Sequence, residues 1–190
     1  VYLKMDCTSA ALEIEFPLDP DVLIYRYVYR MLKSPLLQPE ILRALAGAGH
    51  GSRVLIADGN YPVSTGSPAS ATRVYLNLRP GCLTIMEVLS TLTQVIPVES
   101  AVVMLPRDGR APEVHREIHD LLGSRVPLHA KPREDFYALA RQYDTALAIA
   151  TGEQRRFANV LLTIGTIRLP EDSDALSSGA VLSGGVLAGT

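Results

Sequence analysis

From Pro39 to Ile164 the chain alternates short apolar runs with segments of helical period, and no other feature constrains its fold as much. Pro39 and Glu40 suit the first turn of a helix, Ile41, Leu42 and Leu45 recur on one face, and Gly47 with Gly49 supply a stop. Arg53 to Asp58 reads as a buried strand ending in Asp-Gly, while Asn60 to Ala71, rich in Pro, Ser and Gly, reads as a long loop. Val74 to Leu78 reads as a strand, and Thr84 to Ile96 as a helix with Ile85, Val88, Leu89 and Leu92 on one side. Beyond it come a strand over Ala101 to Leu105, a helix from Pro112 to Gly123, and a short strand over Pro127 to Ala130. A helix over Glu134 to Gln142 and strands over Ala146 to Ala150 and Asn159 to Ile164 complete the series. Elements of this length in this order predict an α/β fold, a layered α/β/α domain with a mixed central sheet.

The 190 residues, 47% of them apolar, suffice for one well-filled core. Residues 31–168 are read as that domain, residues 1–30 as an N-terminal extension, and residues 169–190, rich in Ser, Gly and Ala, as a flexible tail. The first thirty residues lack a basic segment before a long apolar core and do not read as a signal peptide; a docked strand over Val22 to Tyr29 is the alternative. Eighteen basic against twenty acidic residues provide no broad basic surface, so nucleic acid is not an expected partner. The longest apolar stretches fall far short of the roughly 20 residues that cross a bilayer, so no membrane span is expected. Cys7 and Cys82, widely spaced, point to a reducing cytoplasm and not to a disulfide framework.

Two segments a hundred residues apart carry the chemistry: Ala48-Gly49-His50-Gly51, leading to Asp58, and Thr151-Gly152-Glu153, leading to Phe157-Ala158-Asn159. They place an imidazole, a carboxylate and an amide on glycine-punctuated turns beside apolar strands, the rigid support that functional side chains need. An imidazole exchanges protons near neutrality, which makes His50 the first candidate acid-base group; its plain alternative is a cap on the preceding helix. Asp58 can accept bonds from hydroxyls or serve only as a turn former. Eight residues of extended chain separate the two by up to about 26 Å, so either the Gly51-Ser52 link folds back or they act in different subunits' sites.

His115 and His119 lie four apart with Glu113, Glu117 and Asp120 nearby, but His-Arg-Glu-Ile-His is not the zincin order, and this stretch is read as a solvated helix face. The Gly179 to Gly189 region lacks the lysine and helix of a phosphate loop, and Ser64, Thr65, Ser67 and Ser70 sit in no nucleophile elbow. Neither a metal nor a nucleotide cofactor is expected.

The Gly-His-Gly turn, the Asp eight residues after its His, and the late Thr-Gly-Glu followed by aromatic-small-Asn resemble the L-fucose mutarotase and D-ribose pyranase family, from Met31 to roughly Ile167. Met31-Leu32-Lys33, Ser34-Pro35-Leu36 and Pro39-Glu40-Ile41-Leu42 are closer to the fucose branch. The resemblance implies an RbsD-like fold and an isomerase that interconverts the α and β anomers of L-fucose or a related sugar. Pyranose-furanose conversion of D-ribose is the near alternative, and a non-catalytic sugar-binding module the rival. It implies His50 as general acid, and Asp58, Arg133 and the Phe157, Ala158, Asn159 turn as the groups that hold hydroxyls, with Lys131 a nearby substitute for Arg133. Phe157 stands where the family usually has Tyr, so stacking on the sugar is kept and any phenol contact is lost. It also implies ring-shaped homo-oligomers, pentamers that stack into decamers, with a site assembled across neighbouring chains.

Overall fold

Pro39 occupies the first helical position, and the Gln38 side chain accepts a bond from the Ile41 amide at 2.6 Å, which together start α1 (Pro39–Gly47). There follow β1 (Arg53–Ala57), α2 (Val63–Gly66), β2 (Thr72–Tyr75), α3 (Ile85–Leu92), β3 (Val98–Leu105), α4 (Glu113–Leu122), β4 (Leu128–Pro132), α5 (Arg133–Ala140), β5 (Thr145–Ala150) and β6 (Val160–Ile164). This computed structural model describes residues 32–167, so the expected N-terminal extension and C-terminal tail lie outside the described residues.

The strands form one six-stranded sheet in the order β2-β5-β1-β6-β3-β4. β2, β5 and β1 run parallel to one another, as do β3 and β4, and β6 runs antiparallel to both neighbours between the two sets. The sheet is mixed, as the element order predicts. Alternation along β1 shows how it is covered on both faces: Val54 and Ile56 pack with Ile41 of α1, with α3 and with α4, while Leu55 and Ala57 pack with Val63 of α2 and Phe136 of α5. Thr84 caps α3 by a reciprocal pair with Glu87, which orients its apolar face onto the first of these layers. On the second, fully buried Phe136 meets small residues such as Ala148 and Ala150; removing such a ring from water contributes about 2 to 3 kcal/mol.

Several boundaries differ from the sequence reading: α3 ends at Leu92 and not at Ile96, β3 begins at Val98 and not at Ala101, and β4 runs on to Pro132. The stretch read as a long loop contains α2, closed by bonds from the Tyr61 hydroxyl to the Gly66 carbonyl (2.8 Å) and from the Ser67 hydroxyl to the Val63 carbonyl (2.7 Å). These side-chain ties, not helix propensity, make the turn. β2 begins at Thr72 and ends at Tyr75, earlier than expected, because the chain leaves β5 after Leu76 to form a strap over Gly152. In the strap, the Gly81 amide donates to the Gly152 carbonyl (2.7 Å) and the Gly152 amide to the Leu83 carbonyl (2.9 Å). Among the described residues no helix is long and apolar enough to cross a membrane.

Candidate functional site

Antiparallel pairing sets β6's first residues beside β1's last: Ile56 opposes Val160, so the chain just before β6 meets the chain just after β1. Asp58 and Asn159, 101 residues apart, therefore lock together. The Asp58 amide donates to Asn159 Oδ1 at 2.8 Å, and Asn159 Nδ2 donates to Asp58 Oδ2 at 3.0 Å. The other carboxylate oxygen accepts from the Asn60 amide at 2.9 Å. Asp58 is only 3% exposed, and burial pushes its carboxyl above the usual range against the opposing bonds from the Asn60 and Ala158 amides, the Asn159 side chain and the Tyr61 amide. The Thr151–Glu153 segment braces this turn from β5: the Thr151 hydroxyl donates to the Ala57 carbonyl (2.8 Å) and the Gly59 amide to the Glu153 carbonyl (2.9 Å).

Above the pair opens a cavity of about 110 Å³. Asp58, Asn60 and Asn159 form its polar side, Tyr61, Tyr137, Phe157 and Met104 its apolar side, and Arg133 and Arg156 complete the lining. Tyr61 and Tyr137 stack with centroids 5.0 Å apart, the Arg133 guanidinium lies 5.6 Å from the Tyr137 ring centroid, and that of Arg156 lies 5.7 Å from the Phe157 ring centroid. Aromatic walls beside convergent donors and acceptors are what a small polyhydroxylated ring needs, C–H faces against the rings and hydroxyls against the polar groups. Among the described residues no three of His, Cys, Asp and Glu come together in a way that could hold a metal ion.

The structure thus brings Asp58, Arg133, Phe157 and Asn159 to one cavity. Ala158 lies beneath them, its side chain buried in the core and its backbone in the turn. His50 is elsewhere. It follows α1 in a turn before β1, 58% exposed, with Nε2 2.7 Å from Glu99 Oε2. β1 alone, five residues at about 3.3 Å each, puts roughly 17 Å between this turn and Asp58. Gly51, at φ 81°, bonds through its amide to the Ile164 carbonyl, so the link follows the sheet and does not fold back to the cavity.

Sequence reasoning missed Tyr61, Asn60, Met104, Tyr137 and Arg156 as lining residues. The Phe-Tyr pair after Arg133 and the Arg before Phe157 were the available signals; Tyr61 was hidden in an apparent loop. The solvated face expected at His115 is corrected: its side chain is buried and its Nε2 lies 2.9 Å from the Phe157 carbonyl. Next to it, Arg155 bridges Glu117 of α4 (2.8 and 2.9 Å) and Glu153 (3.0 and 2.9 Å). Burial pushes the Glu153 carboxyl up, but the bonds from Arg155 outweigh it and hold it below the usual range.

A carboxyl whose folded value is depressed stabilises the fold above its unfolded value, near 4.5, and loses that contribution as pH falls through the lower folded value. Replacing Arg155 with Leu leaves Glu153, 4% exposed, without its cation. The variant is expected to unfold at higher pH on acid titration and to lose about 2 kcal/mol at pH 7, less than for a wholly buried pair because Arg155 is partly exposed. Coincident acid-unfolding curves for parent and variant would remove the ion pair from the account.

The chain is thus an α/β domain with a mixed six-stranded sheet and a small polar and aromatic cavity where β1 ends and β6 begins. The chain belongs to the RbsD/FucU family: the family described as "RbsD / FucU transport protein family" matches residues 31–167. It is 32% identical over 135 residues to a D-ribose pyranase of Symbiobacterium thermophilum, across 71% of this chain and 98% of that protein. In fold it matches Bacillus subtilis RbsD complexed with D-ribose (TM-score 0.63, 24% identity, 73% of this chain and 100% of that one). It also matches the Streptococcus pneumoniae fucose mutarotase in complex with L-fucose (TM-score 0.59, 24% identity, 73% and 100%). The likeness therefore runs to both the ribose and the fucose branch.

Proposed function

We propose that this protein interconverts the ring forms or anomers of a free monosaccharide by acid-base assisted ring opening. The observation that carries the reading is the Asp58–Asn159 pair set in one cavity with Arg133, Tyr137 and Phe157. Held in place by each other and by the Asn60 amide, the carboxylate and the amide are pre-organised to take hydroxyls. His50 is the proposed proton carrier, moving a proton between the ring oxygen and the anomeric hydroxyl through the open-chain aldehyde. Such assistance is worth about 10² to 10⁴ in rate.

In this reading His50 reaches the sugar from a neighbouring copy of the chain, in a ring-like homo-oligomer of the pentamer or decamer kind. The separation along β1 and a cavity smaller than the roughly 300–1,000 Å³ of ligand pockets both favour a second chain closing the site. A free Cys82 thiol accords with a cytoplasmic setting. L-fucose is the first substrate to test, on the strength of Arg133 in the cavity and the Met31-Leu32-Lys33 start; D-ribose stands beside it because of the pyranase relative. The distance of His50 from the cavity also favours a second reading, a sugar-binding module without catalysis, for a chain that stays monomeric.

The test is NMR magnetisation transfer between anomeric signals of L-fucose, D-ribose and D-glucose, with sedimentation of the same sample. Faster exchange on fucose or ribose by an oligomer supports the isomerase; binding without faster exchange on any sugar supports the module. Restoring the phenol with Phe157→Tyr is expected to raise the exchange rate several-fold, since a neutral hydrogen bond to substrate is worth about 1 kcal/mol. An unchanged rate would show that the ring's stacking face is all the site uses.

A further inference from the structure

His115 is the buried polar side chain of α4, 5% exposed, and does not line the cavity. Its Nε2 lies 2.9 Å from the Phe157 carbonyl; a carbonyl only accepts, so Nε2 carries the proton and donates. The acceptor is a residue in the left-handed region, φ 63°, a conformation costing about 1 to 2 kcal/mol for a side chain with a Cβ and kept only where the surroundings impose it. The same turn carries Asn159 two residues on, whose Nδ2 donates to Asp58 Oδ2 at 3.0 Å and whose Oδ1 accepts from the Asp58 amide at 2.8 Å. The turn therefore joins α4 to the cavity: it is held by the bond at the Phe157 carbonyl, and it delivers the amide side chain that locks Asp58.

We propose that His115 is a positioning residue whose bond to the Phe157 carbonyl fixes the Phe157–Ala158 peptide plane, and thereby holds the Asn159 side chain against the Asp58 carboxylate. Its consequence for sugar handling rests on the reading of Asp58 as a sugar ligand; its consequence for Asp58 itself does not. Without the bond the strained peptide is free to rotate, the carboxylate loses a donor, and its protonated form gains. The other groups facing Asp58 stay as they are: the Asn60 and Tyr61 amides, and the titratable or charged cavity neighbours Arg133 and Tyr137 of α5, Tyr61 and Arg156.

The experiment follows the Asp58 carboxyl carbon by NMR through a pH titration of the full chain, in the parent, His115→Leu and His115→Gln. The Leu variant is expected to titrate about one pH unit higher than the parent, the size of shift that a lost donor to a carboxylate produces. Gln, whose Nε2 can take the place of the imidazole's, is expected to titrate with the parent. Should His115→Leu fail to fold, His115→Asn, whose amide stops short of the carbonyl, takes its place. An Asp58 midpoint unmoved in the Leu or Asn variant, or moved equally by Gln, overturns the proposal. Sugar exchange on the same samples is expected to show KM several-fold higher for Leu, recovered by Gln, with kcat less affected. A parent that exchanges no sugar sinks the isomerase reading instead, and the titration alone decides about His115.

Discussion

Alanine in place of His50 is expected to abolish catalysed anomer exchange while leaving the protein folded. The expected loss of 10² to 10⁴ corresponds to about 3 to 5 kcal/mol of barrier. The fold should scarcely notice, because the imidazole and its partner Glu99 are 58% and 54% exposed, and exposed ion pairs contribute little. A stronger form of the experiment mixes two inactive variants, His50→Ala and Asp58→Asn, after unfolding and joint refolding. If each site takes His50 from one chain and Asp58 from another, mixed oligomers contain intact sites and recover part of the activity. If both groups serve within one chain, mixing recovers nothing. Full activity in His50→Ala alone would end the acid-base assignment, whatever the oligomer.

The largest stability effect is expected at Gly152. A Cβ added there would lie 2.1 Å from the Cys82 carbonyl oxygen and 2.5 Å from that of Arg79, and both obstacles are backbone. The strap would have to lift, giving up the Gly81–Gly152 and Gly152–Leu83 bonds that hold it. Overpacking together with lost backbone bonds gives about 3 kcal/mol or more for Gly152→Ala, and a drop in Tm of roughly 10 °C. Gly49→Ala is the control, since nothing lies within 4 Å of the added atom and its φ is not in the left-handed region. A Gly152→Ala protein that melts with the Gly49→Ala control would show that the strap yields freely.

Where one residue's surroundings decide its neighbours, the sequence was legible. Pro39 and Glu40 opened α1, Thr84 and Glu87 lie where α3 starts, and the apolar runs marked β1, β5 and β6 to within a residue. Asp58, Arg133, Phe157 and Asn159 could be singled out from motif alone, and they do line one cavity. What sequence could not give was pairing at a distance. The reciprocal Asp58–Asn159 bonds exist because β6 is antiparallel to β1, and no local period encodes direction. His115 looked solvated because its helical neighbours are charged, yet its partner lies 42 residues on. Tyr61 sat in a stretch whose Pro, Ser and Gly content masked a short helix closed by its own phenol.

The position of β6 in the sheet also orders events in time. Among the described residues it is the last of the six strands in chain order, and it is the piece that joins two ladders, β2-β5-β1 and β3-β4, which pair with each other only through it. A growing chain that has not yet delivered Val160 holds two half-sheets with open inner edges and Asp58 with no Asn159 to meet. Closing the gap brings together partners far apart along the chain, the kind of step that slows folding. Sheet and cavity are therefore completed by one stroke when β6 is delivered, and until then the exposed edges of β1 and β3 are surfaces that another unfinished chain could pair with.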